Sequence, residues 1–313
     1  MNSILAARAA EIRQEVKKII IGQETLVEKT LIALLAGGHV ILEGVPGLAK
    51  TLFARALAAS LRLKFKRIQF TPDLMPSDLI GTNVFQPDTH TFKFLPGPLF
   101  ADILLADEIN RTPPKTQSAL LEAMEEHQAT VDGMSYPLPA HFFVIATQNP
   151  IEYEGTFPLP EAQTDRFLFK IKVDYPTPAD ELLLLQQSPF SQHVEDVIQP
   201  RAAADDFTAA HREIEAVTID QSIYDYTLRL LIASRQSPQL TLGASPRAGR
   251  GWIKAARVLA ALRERNFVTP DDIKELAYPI LRHRLVRKAE TEIEGTTVEQ
   301  VIDQLLASVE VPR

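Results

Sequence analysis

The 313-residue chain contains no cysteine, which excludes disulfides, cysteine-based zinc sites and thiol nucleophiles. A reducing compartment is compatible with that lack but not proved by it. Long apolar runs are missing as well. The longest, such as residues 31–36 and 103–106, fall far short of the roughly 20 residues that cross a bilayer. Residues 1–21 mix Arg, Glu and Lys with apolar side chains at helical spacing, so they read as a helix and not as a secretory signal. A cytoplasmic location is the expectation. Positive charge is not in excess: 33 Lys and Arg stand against 40 Asp and Glu, a formal net charge of −7. Surface-wide attraction to nucleic acid is therefore not built in, although a local basic channel in an oligomer stays compatible. The seven histidines show no metal-ligand spacing, and His39, His90, His127 and His141 read as structural or solvated. No internal repeat or low-complexity tract is present. The remaining composition, 45% apolar and 23% charged, is that of an ordinary globular protein long enough for two domains.

What the chain does have is the run Gly44-Val45-Pro46-Gly47-Leu48-Ala49-Lys50-Thr51 between an apolar segment, 39–43, and a helical pattern, 52–60, that opens on Leu52. A strand, a glycine-bearing loop and a helix beginning Lys-Thr make the layout of a phosphate-binding loop. The glycines free the backbone to wrap a phosphate with its N–H groups inward, and the helix start adds unpaired N–H groups and a positive dipole end. Lys50 can reach the β and γ phosphates of a nucleoside triphosphate, and Thr51 can offer its hydroxyl to Mg²⁺. Ala49 stands where such loops usually carry a last glycine. Alanine fits if that residue has helical geometry at negative φ.

Five segments read as buried or half-buried strands: 40–42, 65–70, 102–106, 142–147 and 167–173. Helical patterns between several of them, notably 52–61 and 114–126, point to an α/β fold with a parallel sheet covered by helices. Lys170 and Lys172 alternate with Phe169, Ile171 and Val173, the pattern of an edge strand with one solvated face. Thr177-Pro178 followed by Asp180 and Glu181 reads as a helix cap, proline and acidic first turn. Beyond it the chain is mostly helical, over 179–187, 205–215, 221–234, 247–265 and 270–283. A boundary near residue 175 divides a core, 1–175, from a helical domain, 176–313. Two core segments are neither clean helix nor strand. Residues 79–99 hold short apolar stretches that could make a hairpin, and 128–140 contains Asp132-Gly133, a hairpin-turn dipeptide. Each reads equally as an ordinary surface loop or as a functional insertion.

Ile103-Leu-Leu-Ala-Asp-Glu108 is an apolar strand ending in adjacent carboxylates some 56 residues after the loop. Phosphoryl chemistry asks for such a pair at the carboxyl edge of the sheet. Asp107 would hold the Mg²⁺ shell, and Glu108 would take a proton from, or orient, the attacking water. Phe142–Asn149 is a further buried strand, whose Asn149 would hydrogen-bond the γ-phosphate or the water. A turn-forming asparagine before Pro150 explains it equally well.

Together with these, Asp107-Glu-Ile-Asn-Arg111, Ala146-Thr-Gln-Asn-Pro150, Glu161-Ala-Gln-Thr-Asp-Arg-Phe167 and Gly243-Ala-Ser-Pro-Arg-Ala-Gly249 resemble the MoxR-type branch of the AAA+ ATPases. The Ala-Lys-Thr ending of the loop is usual in that branch. The resemblance implies a P-loop AAA+ core with a sheet of order 5-1-4-3-2, a four-helix lid and rings, typically hexamers. It makes Asn149 sensor 1, Arg166 the arginine finger and Arg247 sensor 2, and it places Ile21, Gly22 and Gln23 beside the adenine and ribose. Arg111 would be a second interface arginine. A guanidinium suits a transition state whose charge spreads over the γ-phosphoryl oxygens. From spacing alone, Arg166 reads as a salt-bridge partner of Asp165 or Glu161, and Arg247 as a surface arginine starting a helix. The family's strand order puts Arg166 at the far side of the sheet from Lys50, which favours action on a neighbour's nucleotide.

The resemblance further implies that 79–99 and 128–140 face the ring pore or a partner. It points to Mg-dependent ATP hydrolysis that remodels a protein client, with clients bearing a von Willebrand A-type domain. Two other functions are compatible with the motifs. A nucleic-acid motor would carry the same insertions, but the net charge and the lack of an added DNA-binding domain argue against it. A nucleotide-switched scaffold with little hydrolysis conflicts with the joint presence of Lys50, Asp107, Glu108 and Arg166.

Overall fold

The computed structural model describes residues 3–150, 156–186, 193–202 and 204–312. Helices α1 (Ile4–Lys17) and α2 (Glu24–Leu35) lead into strand β1 (Val40–Glu43), the glycine-bearing loop and α3 (Lys50–Ser60). Then follow β2 (Phe65–Gln69), a short α4 (Pro76–Ile80), the hairpin β3 (Gly81–Gln86) and β4 (Thr91–Pro96), and β5 (Ile103–Asp107). Next come α5 (Pro114–Glu126), the hairpin β6 (Gln128–Val131) and β7 (Met134–Pro137), β8 (Phe143–Gln148), α6 (Glu161–Thr164) and β9 (Phe169–Lys172). Beyond them the chain runs through α7 (Pro178–Gln186), α8 (Val194–Val197), α9 (Ala204–Ala216), α10 (Gln221–Gln236), β10 (Leu240–Leu242) and α11 (Pro246–Leu262). It ends in α12 (Pro270–Leu281), β11 (Val286–Arg287), α13 (Ala289–Ile293) and α14 (Val298–Ser308).

Five strands make one parallel sheet in the order β2-β5-β8-β1-β9, which is the expected 5-1-4-3-2 when sheet strands are counted along the chain. Alternate residues feed two cores, as the two-residue period of a strand requires. Val40, Leu42, Ile103, Leu105, Phe143 and Ile145 face α1, α2 and α3, in an apolar cluster that continues into the helical region around Trp252. Ile41, Leu104, Ala106, Val144 and Ala146 face α5 through Leu120, Leu121 and Met124. Trp252 is fully buried, and its indole N–H donates to the carbonyl of Ile273 at 2.9 Å.

Both doubtful core segments are hairpins. At the tip of β6–β7, Asp132 and Gly133 take φ of +50° and +79°, the twist that a two-residue hairpin turn needs. The two hairpins are joined: Phe94 and Tyr136 stack with centroids 4.1 Å apart, and the Asn83 amide donates to Asp132 at 2.8 Å. Thr177 caps α7 as expected, its hydroxyl accepting from the Asp180 N–H at 3.2 Å. The expected lid corresponds to α10, α11, α12 and α14, while α9 packs on α1 and α11. The short pair β10–β11 was not anticipated. Another difference concerns β9. It is an edge strand whose lysine face is only partly solvated: Lys170 is half-buried and pairs with Glu43, Lys172 stays exposed while pairing with Glu299 of α14 at 2.5 Å, and Arg282 after α12 donates to the Lys170 carbonyl.

Candidate active site

The carboxyl ends of β1, β5 and β8 open on a single cleft of about 390 Å³. Pro46, Gly47, Leu48, Ala49, Lys50, Thr51 and Leu52 form one wall, and Asp107, Glu108, Thr147, Gln148 and Asn149 form the other. Parallel register explains the meeting. Leu42 pairs with Thr147 and Ala106 with Ala146, so all three strands end on the same side. Gly47 has φ +88° with nothing within 4 Å of where a side chain would begin, leaving the inside of the loop open. Gly44 is required for another reason. A Cβ there would lie 2.5 Å from the Val173 carbonyl just past β9.

Ala49 departs from the expected geometry. Its φ is +54°, left-handed and not helical. Glu108 is left-handed too, at φ +58°. An L side chain in this region costs about 1 kcal/mol or more, so two strained residues face each other across the cleft. At Glu108 the turn is held by its N–H donating to the Thr147 hydroxyl at 2.8 Å.

Lys50 donates to the carbonyls of Gly44 and of Val45, the latter at 3.0 Å. Burial pushes its ammonium pKa down, and Asp107 and Glu108 oppose that shift. Asp107 accepts from the Thr147 hydroxyl at 2.6 Å and from Arg67 at 2.7 and 3.0 Å. Glu108 accepts from the Gln69 amide at 2.6 Å and from Arg111 at 2.9 Å. Thr51 and Asp107 thus bring a hydroxyl and a carboxylate to one cleft, the hard oxygen donors that Mg²⁺ takes. Asn149 is buried in the same wall. Thr147, Arg67 and Gln69 were not singled out from the sequence. Thr147 had a signal, a polar residue closing an apolar strand. Arg67 and Gln69 lie two apart on β2, and their shared face becomes evident only when β2 pairs with β5, setting Gln69 opposite Asp107.

Ile21, Gly22 and Gln23 do not line this cleft. They sit beside its base, with the Gln23 amide donating to the Asp174 carbonyl at 2.9 Å, one residue past the Val173 that touches Gly44. Arg166 and Arg247 do not line it either. Arg166 lies three residues before β9, at the amino edge of the sheet, whereas Lys50 follows the carboxyl edge of β1. Because β9 is next to β1, the separation runs along the strands and not across the sheet as expected. Nor is Arg166 paired with Asp165 or Glu161. Arg166 and Arg247 both bind Glu125 of α5, at 3.0 and 2.9 Å. Asp165 instead accepts from the Ser245 hydroxyl at 2.8 Å and from Arg284 at 2.6 Å. Arg284 is buried and donates to the carbonyls of Asp165, Phe167, Leu168 and Ile280 as well.

Residues 39–169 match the family described as ATPase family associated with various cellular activities (AAA), and residues 232–305 match an AAA lid domain. The chain is 47% identical over 299 residues to the protein YeaC of Bacillus subtilis, covering 96% of this chain and 93% of that one. To the chaperone MoxR1 of Mycobacterium tuberculosis it is 44% identical over 312 residues, 96% of this chain and 81% of that one. A crystal structure from Cytophaga hutchinsonii superimposes with a TM-score of 0.91 at 41% identity, over 99% of this chain and 96% of the other. With this sheet order, this loop and a helical lid, the chain belongs to the MoxR-type branch of the AAA+ ATPases.

Proposed function

We propose that this protein hydrolyses ATP with Mg²⁺ as a homo-oligomeric ring, in the manner of a hexamer, and uses the cycle to remodel a protein client. The observation that carries the reading is the convergence of Lys50, Thr51, Asp107, Glu108 and Asn149 on one cleft. In it, 1–175 is the nucleotide-binding core and 176–313 the lid, with Ile21, Gly22 and Gln23 on the adenine side. Lys50 exchanges the loop carbonyls for the β and γ phosphates, which repay its partial desolvation with full charges. Thr51 and Asp107 hold Mg²⁺, which would neutralise charge on the phosphate oxygens. Glu108 takes the proton of the attacking water, and Asn149 orients that water or the γ-phosphate. Arg166 and Arg247 complete the neighbour's site, a reading supported by the place of Arg166 at the amino edge of the sheet, away from its own loop, and by the anchor that the two arginines share. Rings of heterologous contacts place one subunit's arginine face against the next subunit's cleft.

The joined hairpins, which expose Val84, Phe85, Phe92, Leu95 and Met134, are the client-facing surface in this reading. The resemblance to MoxR proteins favours a client with a von Willebrand A-type domain, and the chaperone name of one relative agrees with a remodelling role. Nucleic acid is not the favoured partner at a net charge of −7. No helix among the described residues is long and apolar enough to cross a membrane. A cytoplasmic location goes with the reading.

Glu108→Gln tests it. The substitution removes the base but leaves the Lys50 and Asp107 contacts, so ATP binding should persist while turnover falls by about 10²-fold or more. Affinity capture on that variant in ATP would then retain the client. Lys50→Ala should instead weaken nucleotide binding itself in a fluorescent-nucleotide titration. Near-normal turnover in the first variant, or unchanged affinity in the second, rejects the assignment.

A further inference from the structure

We propose that Glu125 is a positioning residue that gathers Arg166 and Arg247 into one two-armed cationic fork for the neighbouring subunit's nucleotide. The inference rests on the reading that both arginines act across the interface. Arg166 belongs to the turn before β9 and Arg247 to the second position of α11, so nothing local brings them together. Glu125 does, with one carboxylate oxygen for each: Oε2 takes Arg166 Nη2 at 3.0 Å and Oε1 takes Arg247 Nη2 at 2.9 Å. A guanidinium has five N–H donors, and each of these ion pairs engages a single nitrogen, so both arginines keep donors for a ligand. Their side chains remain 29% and 44% exposed, so the spare donors are accessible. The carboxylate also stands in the last turn of α5, where the helix end is itself negative and favours cations.

A second tie runs beneath the first. Asp165, next to Arg166, accepts from the hydroxyl of Ser245, which caps α11 two residues before Arg247. Backbone and side chains of the two arginine segments are therefore coupled separately, by Asp165 and by Glu125. Without the Glu125 charge, two guanidiniums facing the same side would repel and splay. Misplacing a transition-state donor lowers the catalytic constant more than it lowers substrate affinity. An ordinary surface ion pair would contribute little and leave turnover alone.

The experiment is complementation between inactive subunits, with subunit exchange verified first. Arg166→Ala mixed with Lys50→Ala is the control. Recovery there supports action across the interface, and failure there overturns that reading and this inference with it. Given recovery, Glu125→Gln alone should keep its affinity for ATP while kcat falls about tenfold. Mixed with Lys50→Ala it should regain activity, because one interface then joins an intact Lys50 cleft to an intact fork. Mixed with Arg166→Ala it should stay low, since both partners then carry a damaged arginine face. Glu125→Asp, which keeps the charge but is too short to span both arginines, should show the same pattern and guards against misfolding of the first variant. Unchanged kcat in Glu125→Gln refutes the proposal. Recovery with Arg166→Ala would assign Glu125 to its own cleft, and failure with both partners would make its role purely structural; either result overturns it.

Discussion

Replacing Arg284 with alanine tests how the lid holds the turn that carries Arg166. All five N–H donors of this buried guanidinium are used. They meet the Asp165 carboxylate at 2.6 Å and four carbonyls, those of Ile280, Leu168, Asp165 and Phe167, at 2.6, 3.0, 3.1 and 2.5 Å. Truncation does not orphan every acceptor. Asp165 keeps the Ser245 hydroxyl, and the Phe167 carbonyl keeps the His283 ring at 3.0 Å. What remains is a half-satisfied carboxylate and buried carbonyls that lose a charged donor. At about 1–3 kcal/mol for each poorly satisfied buried group, the loss should be roughly 3–5 kcal/mol. For a chain of this size that is a fall in Tm of about 5–8 °C. Differential scanning calorimetry measures it, and Arg284→Lys should recover only a minority of the loss because a single ammonium cannot serve five acceptors. A Tm within about 2 °C of the wild type would refute the clamp.

Ala49→Gly removes a methyl from a left-handed residue and should stabilise the protein by about 0.5–1 kcal/mol, after the extra freedom of glycine in the unfolded chain is subtracted. A denaturant midpoint shifted downward would show that the alanine is not strained there. The buried His39 ring accepts the Val144 N–H at 3.1 Å, and burial depresses its pKa to about 4. A depressed histidine contributes stability that is complete above its unfolded pKa near 6.5 and is lost as pH falls through about 4, up to roughly 3 kcal/mol. Urea midpoints between pH 7 and 4 should therefore fall more steeply than in His39→Asn. Titration of the His39 ring by NMR near pH 6.5 would contradict the burial argument.

Much of this fold was legible because β1, β5 and β8 are short, nearly unbroken apolar runs closed by polar residues, the mark of strands covered on both faces. The Asp132-Gly133 turn announced its hairpin chemically. The pair β10–β11 left no such trace, since three residues against two are too few to show alternation. The cleft was readable where one segment carries the chemistry, as in Gly44–Thr51 and Asp107–Glu108. It was unreadable where partners come from distant segments. Glu125 looks like any acidic residue near a helix end until β9 and α11 bring Arg166 and Arg247 to it, and Arg284 looks like any late basic residue until the lid closes over Asp165. The left-handed conformation of Ala49 is equally illegible in the sequence. Its neighbours in sequence allow a helical start, and nothing in them marks the left-handed residue that stands immediately before α3.

The hairpin β6–β7 begins three residues after Glu125, with only Glu126 and the left-handed His127 between them. Stacked through Phe94 and Tyr136, the two hairpins form a single tongue, and that tongue is rooted in the end of α5. A helix transmits displacement along its axis with little give, so a load on the tongue is a load on the carboxylate that holds both arginines. Under the proposed function, traction on a client and timing of the chemistry would then share one mechanical joint. On that proposal, lengthening the α5–β6 connection by a residue or two would uncouple pulling from hydrolysis while every proposed catalytic group stays in place.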